Sequence, residues 1–234
     1  MSREAWEFVL LELRRARLSL SLLTGRRTAA YLVADGLLLF SLAFDLLVGG
    51  GSPAEMYLQA VLLPCLILGV PVMADAVAVE RRAGCLDLAL ATPRADLYFV
   101  RRLAAAAALM ALQSTVVLMV IWLGSTMPFA LLYAVVQAVL VCALLAALVL
   151  FWVLRLRTAG AVILATYVSI APFSKWFFSS PLPSIWDAKA TGNFVLAPWD
   201  SLPWLCDCLV LGLGAVAFYL YARRRLIRPE ALLG

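Results

Sequence analysis

The residues that could do chemistry in this chain are isolated acids, amides and phenols inside apolar stretches. Asp35 is the most unusual, since a charged side chain at the centre of a bilayer costs roughly 2.5 to 3.5 kcal/mol and such residues face protein or water. It predicts either an internal substrate pathway or a static hydrogen bond. Other polar residues in apolar stretches, Tyr31, Gln59, Gln113, Gln137 and Tyr167, could line the same pathway.

Catalytic groups are hard to assemble from this composition. The chain has no histidine, and it shows no paired acid and base and no Ser-Lys arrangement within its apolar stretches. A phosphate-binding loop needs Gly-x-x-x-x-Gly-Lys-Ser/Thr, whereas the only lysines, Lys175 and Lys189, stand in other contexts. Cys206 and Cys208 would point apart on a helix, which favours packing over a metal site. We therefore expect a non-enzymatic chain with no cofactor or metal of its own.

The composition places the chain in a membrane. Of its 234 residues, 65% are hydrophobic and the mean hydropathy is +0.99, which is too apolar for a soluble core. A helix needs about 20 apolar residues to cross the ~30 Å hydrocarbon layer. An all-α polytopic protein is predicted, with one membrane domain over residues 1–234 and six transmembrane helices at 28–48, 57–77, 103–123, 127–154, 159–178 and 205–222.

Two prolines in the second span, Pro64 and Pro71, lie seven residues apart with Gly69 between them. Each proline removes a backbone hydrogen bond and bends a helix. Because bends inside a bilayer are satisfied by neighbouring helices or water, the pair predicts either a hinge or an ordinary structural kink.

The arginines orient the predicted spans. Lys and Arg in short loops stay in the cytoplasm, and all seventeen arginines fall at ends that can share one side, while Lys175 and Lys189 fall on the other. Both termini are thus expected in the cytoplasm and the chain in the inner or plasma membrane, among its lipids. The pI of about 9.1 reflects this arginine girdle, so a nucleic-acid partner is not expected.

Two segments outside the spans also carry apolar patterns. Residues 1–27 predict an amphipathic helix on the membrane surface, with apolar residues recurring at Trp6, Leu10, Leu13 and Leu20. The outer segment 179–203 is too apolar for a solvated loop and too rich in proline for a span. It predicts one or two short re-entrant or interfacial helices before the last span.

The connection between the second and third spans has the features of a short helix at about residues 84–93. Gly84 supplies a permissive turn, Leu86 and Leu90 form an i, i+4 apolar pair, and Asp87 suits the first turn. Thr92 and Pro93 end the helix. A simple connector needs neither the apolar pair nor these boundaries, so this cytoplasmic segment is the expected functional element.

This connection resembles that of permease subunits of type-2 ATP-binding-cassette transporters. Their second cytoplasmic connection reads Glu-Arg, then Gly-Thr-Leu-Glu, then a leucine-rich stretch closed by Thr-Pro or Ser-Pro. The corresponding residues here are Glu80-Arg81, Gly84-Cys85-Leu86-Asp87, Leu88 to Leu90 and Thr92-Pro93. Cys85 and Asp87 depart from the commonest residues, although Asp87 keeps the charge.

The resemblance implies a function. In that family the segment is a coupling helix that fits a groove on an ATPase subunit, so ATP and Mg would be bound by that partner, in two copies. A second permease chain, as homodimer or sister heterodimer, would complete a pathway between spans one, two and five. Export of an amphiphilic or hydrophobic substrate is expected. A membrane-embedded enzyme or a non-transporting scaffold or immunity protein is the alternative.

Overall fold

The computed structural model describes residues 28–48, 57–75, 95–124, 130–156, 158–173 and 198–226. They form six helices: α1 (Thr28–Val48), α2 (Leu58–Asp75), α3 (Ala95–Gly124), α4 (Leu131–Val153), α5 (Ala159–Ile170, followed by the 3-10 turn Ala171–Phe173) and α6 (Pro198–Leu226). Four of them, α2, α3, α4 and α6, are long and apolar enough to cross a membrane. The described residues are therefore helical, as predicted, with four candidate spans. Crossings by α1 and α5 stay predictions, because their apolar parts, Val33–Phe44 and Ala159–Phe173, are shorter.

The helix boundaries match the predicted spans unevenly. Helix α1 has the predicted bounds, whereas α3 begins at Ala95, about two turns before the predicted start. Helix α6 begins at Pro198, so residues 198–203 belong to it and not to a separate re-entrant helix. Proline is well tolerated in the first turn, where its missing N–H would have no helical partner. The amphipathic lead-in, the coupling segment and the rest of the outer segment lie outside the described residues.

Helix α4 is the centre of the bundle. Its sequence is apolar on nearly every face, which is typical of a helix in a protein core or a membrane span. Leu144, Leu145 and Leu148 are fully buried. It packs against α3, α5 and α6. Helices α4 and α6 run parallel, because Tyr133 meets Trp204 near their first residues and Phe151 meets Phe218 near their last, with ring centroids 4.5 and 5.2 Å apart.

Helix α2 is buried although its backbone is irregular. It contains two π-helical segments, Leu58–Leu62 and Cys65–Gly69, in which the N–H of Leu63 bonds the Leu58 carbonyl and that of Val70 bonds the Cys65 carbonyl. Pro64 and Pro71 lie next to these wide turns. The predicted bends are thus accommodated by π turns, which are frequent at functional sites.

Helix α1 lies at the edge of the described bundle. Among its described side chains only Leu42 is buried, whereas Val33, Leu37, Phe40 and Phe44 are exposed. An apolar stripe of this kind is compatible with lipid contact. The polar face of α1, described below, is directed towards α2 and α3.

Helix α5 is short and ends beside the middle of α6. Thr158 caps its start by accepting a hydrogen bond from the Ala161 N–H. At its other end, the Phe173 ring lies 3.2 Å from the point where a Cβ on Gly214 would be. The absence of a side chain at Gly214 therefore lets the end of α5 pack closely on α6.

Candidate functional site

A polar bond joins α1 to the arginine-side end of α2. The Tyr31 hydroxyl donates to Oδ2 of Asp75 at 3.1 Å, and Asp75 is only 5% exposed. A buried carboxylate is costly unless hydrogen-bonded, which explains why a tyrosine faces it. Tyr31 was predicted as a pathway residue; the structure makes it a partner of Asp75.

Asp35 lies one turn further along α1 and bonds to α3. Nε2 of Gln113 donates to Oδ1 of Asp35 at 2.5 Å. The structure thus shows a hydrogen bond at Asp35, and its place on a pathway stays a prediction. This pair and the Tyr31–Asp75 pair hold the polar face of α1 against α3 and α2.

Tyr167 compensates for a defect in the backbone of α2. The Val70 N–H bonds the Cys65 carbonyl instead of the Leu66 carbonyl, and Pro71, the next residue, has no N–H. In an α-helix the Leu66 carbonyl would accept from the N–H of residue 70, and in a π-helix from that of residue 71. The first N–H is used by Cys65 and the second does not exist, so neither donor is available. The hydroxyl of Tyr167, on α5, donates to it at 2.7 Å. One predicted hinge and one predicted pathway residue are therefore parts of a single local structure.

Three helices meet through sulfur and hydroxyl groups at the middle of α2. The Sγ atoms of Cys65 (α2) and Cys142 (α4) lie 3.5 Å apart, and the Cys65 thiol is 4.0 Å from the Ser114 hydroxyl on α3. All three residues are buried. The sequence offered only the mid-span positions of the two cysteines, and packing was the favoured interpretation. Direct contact between the thiols was not predicted.

The predicted pathway residues lie at different levels along α2. Tyr31 is bonded to Asp75 at the last described residue of α2, and Tyr167 is bonded to Leu66 near its middle. Gln59 lies near the first residue of α2. From Gln59 to Asp75 the helix spans about 24 Å at ~1.5 Å per residue. These polar groups therefore follow the length of α2 and are not gathered at a single binding point.

Gln137 differs from the other amides. It is fully buried in α4, and neither its Oε1 nor its Nε2 has a hydrogen-bond partner within the part of the chain that the structure describes. A buried amide without a partner is unfavourable by about 1 to 3 kcal/mol. Gln137 was predicted as a companion of Asp35, yet the Asp35 carboxylate is bonded to Gln113 instead.

The predicted coupling residues all lie between α2 and α3, outside the described residues. They are Glu80, Arg81, Gly84, Leu86, Asp87, Leu90, Thr92 and Pro93. Helix α2 is described up to Asp75 and α3 from Ala95, so this connection is joined at both ends to helices of the bundle. No family of known proteins, no curated protein and no solved structure matches the chain.

Proposed function

We propose that this chain is the membrane permease subunit of an ATP-binding-cassette exporter that moves an amphiphilic or hydrophobic substrate across the cell membrane. The observation that carries the proposal is the sequence of the 80–93 connection. It has a Glu-Arg pair, a Gly-x-Leu-Asp motif and a Leu86–Leu90 pair followed by Thr-Pro. It joins two helices that are long and apolar enough to span a membrane.

The mechanical context of α2 supports the proposal. Its last described residue, Asp75, is bonded to α1. Nearer the middle of α2, the Leu66 carbonyl is bonded to α5 and the Cys65 thiol contacts α4. A force applied to the connection after α2 would thus reach three other helices. The π turns supply backbone that can change its hydrogen bonding without breaking the helix.

The mechanism that follows is alternating access. Two ATPase subunits, which bind ATP and Mg, close on each other and push the 84–93 segments of two permease chains. Helices α2 and α3 tilt in response, and a pathway beside α1, α2 and α5 changes its opening between the two sides of the membrane. The second permease chain is a copy of this one or a sister protein.

The test uses co-purification and ATP hydrolysis. The chain is expressed with candidate ATPases, and we expect one of them to co-purify with it and to show a changed turnover in its presence. Leu86→Asp would place a charge on the apolar face of the segment, so it should abolish both effects, whereas Leu86→Met keeps that face apolar and should preserve them. The proposal is wrong if no ATPase associates with the chain, or if the Leu86→Asp variant binds the ATPase and changes its turnover as the wild type does. A scaffold or immunity role would then be favoured.

A further inference from the structure

Helices α3, α4 and α6 enclose an apolar groove of about 390 Å³. Helix α4 packs against both of the others, which scarcely touch each other. Helix α4 is therefore the floor of the groove, and α3 and α6 are its walls. The lining is almost entirely apolar, and it includes the buried Cys142 on α4.

Small side chains create the groove. More than half of its lining residues are alanines, including Ala104 and Ala108 on α3, Ala143 and Ala147 on α4, and Ala215 on α6. A side chain that ends at Cβ leaves space that a leucine would fill. Ala104, Ala108 and Ala143 are exposed, so the groove is open along one side of the bundle. In a membrane-embedded helix bundle, that side is available to lipid.

The groove has the depth of one lipid leaflet. On α3 its lining runs from Val100 to Ala111, which is about 16 Å along the helix axis. The hydrocarbon layer of a bilayer is ~30 Å thick, so one leaflet contributes about half of that. On α3 the groove begins beside Arg101 and ends at Ala111, near the midpoint of the apolar stretch Tyr98–Leu123.

Two exposed arginines stand at the entrance. Arg101 precedes Ala104 by one helical turn on α3, and Arg223 follows Tyr219 by one turn on α6; both neighbours line the groove. Residues three and four apart lie on the same face of a helix, so both guanidinium groups extend the walls of the groove towards the membrane surface. Basic clusters between membrane helices bind anionic lipid headgroups.

From this arrangement we infer that the groove binds an anionic phospholipid of the leaflet at the arginine end, with one acyl chain between α3 and α6 and the phosphate at Arg101 and Arg223. A single file of methylene groups fits the available volume. The two arginines complement the charge of a phosphate group, which favours an anionic lipid over a second copy of the chain as occupant. The inference does not depend on the proposed function.

The test is native mass spectrometry of the whole protein taken from nanodiscs of equimolar phosphatidylglycerol and phosphatidylcholine. We expect the wild type to retain phosphatidylglycerol preferentially. Ala108→Phe fills the groove and should abolish retention of either lipid, whereas Ala217→Phe, an exposed position outside the groove, should leave it unchanged. Equal unfolding temperatures of the two variants would show that the loss is not caused by misfolding.

The arginines are tested separately. Each of Arg101→Gln and Arg223→Gln should lower the preference for phosphatidylglycerol by about fivefold, since one basic residue near a membrane surface contributes about that factor. Arg224→Gln, which lies on another face of α6, is the control and should have little effect. The inference is overturned if the wild type shows no preference, if Ala108→Phe retains lipid normally, or if a cysteine at position 108 cross-links two copies of the chain.

Discussion

The hydroxyl of Tyr167 donates a hydrogen bond to the main-chain carbonyl of Leu66 at 2.7 Å, between α5 and α2. It takes the place of a backbone donor that the π turn before Val70 and the missing N–H of Pro71 have removed. A side chain on one helix thus completes the backbone of another, so the irregular part of α2 depends on α5 for its hydrogen bonding.

Removing that hydroxyl should destabilise the bundle. Tyr167→Phe leaves the Leu66 carbonyl without this donor and should lower the free energy of unfolding in micelles by about 0.5 to 1.5 kcal/mol. Pro71→Ala restores an N–H at position 71, so in that background Tyr167→Phe should cost measurably less. Equal costs in the two backgrounds would show that the hydroxyl does not replace the missing backbone donor.

The Asp35–Gln113 pair should behave as a coupled unit. Gln113→Leu leaves Asp35 without this donor and should lower the free energy of unfolding by about 1 to 3 kcal/mol. The double variant Asp35→Leu/Gln113→Leu removes both polar groups and should be more stable than the sum of the single losses predicts. Additive losses in a thermal unfolding cycle would contradict the pairing.

The thiols of Cys65 and Cys142 should be cross-linkable. Their sulfur atoms lie 3.5 Å apart and must approach to about 2.05 Å to form a disulfide. Iodine, which enters membranes, would accept two electrons and give two iodide ions while the thiols release two protons. Mass spectrometry of the peptides should find the 65–142 link in the wild type and not in Cys65→Ala, whose remaining cysteines control for links made elsewhere. Failure of the wild type to form this link would place the helices further apart.

Two glycines on α6 give a matched pair. At Gly214 a Cβ would lie 3.2 Å from the Phe173 ring, whereas at Gly212 the nearest atom is 3.9 Å away. Alanine favours a helix over glycine by about 1 kcal/mol, so Gly212→Ala should be neutral or stabilising. Gly214→Ala should unfold at a lower temperature than Gly212→Ala because the end of α5 must move. The reverse order would mean that Phe173 does not pack at Gly214.

The sequence predicted the helices better than their contacts. Apolar runs located all six, and α1 has the predicted bounds. The start of α6 is misplaced because the sequence analysis treats Pro198 and Pro203 as breaks. Pro198 is the first residue of the helix, where a missing N–H disrupts nothing, and the helix continues through Pro203 in its second turn. Likewise, Pro64 and Pro71 predicted bends but could not reveal π turns, whose bonding depends on neighbouring helices.

Local sequence patterns could not predict contacts between residues that are far apart in the chain. Asp35 is the acid that the sequence singles out, and Gln113 stands among its candidate companions, but nothing in the sequence selects Gln113 over Gln137. The Cys65–Cys142 contact joins positions 77 residues apart. Only the packing of α2 on α4 brings those two thiols together, and no spacing along the chain encodes it.

The central position of α4 has a consequence for biosynthesis. The chain is inserted from its first residue onward, so α4 enters the bilayer well before α6, the helix that runs parallel to it and covers one of its faces. Until the ribosome has released residues 198–226, that face must be held by lipid or by the insertion machinery. A chain that ends before Pro198 would therefore leave the side chains of α4 that face α6 without their protein cover.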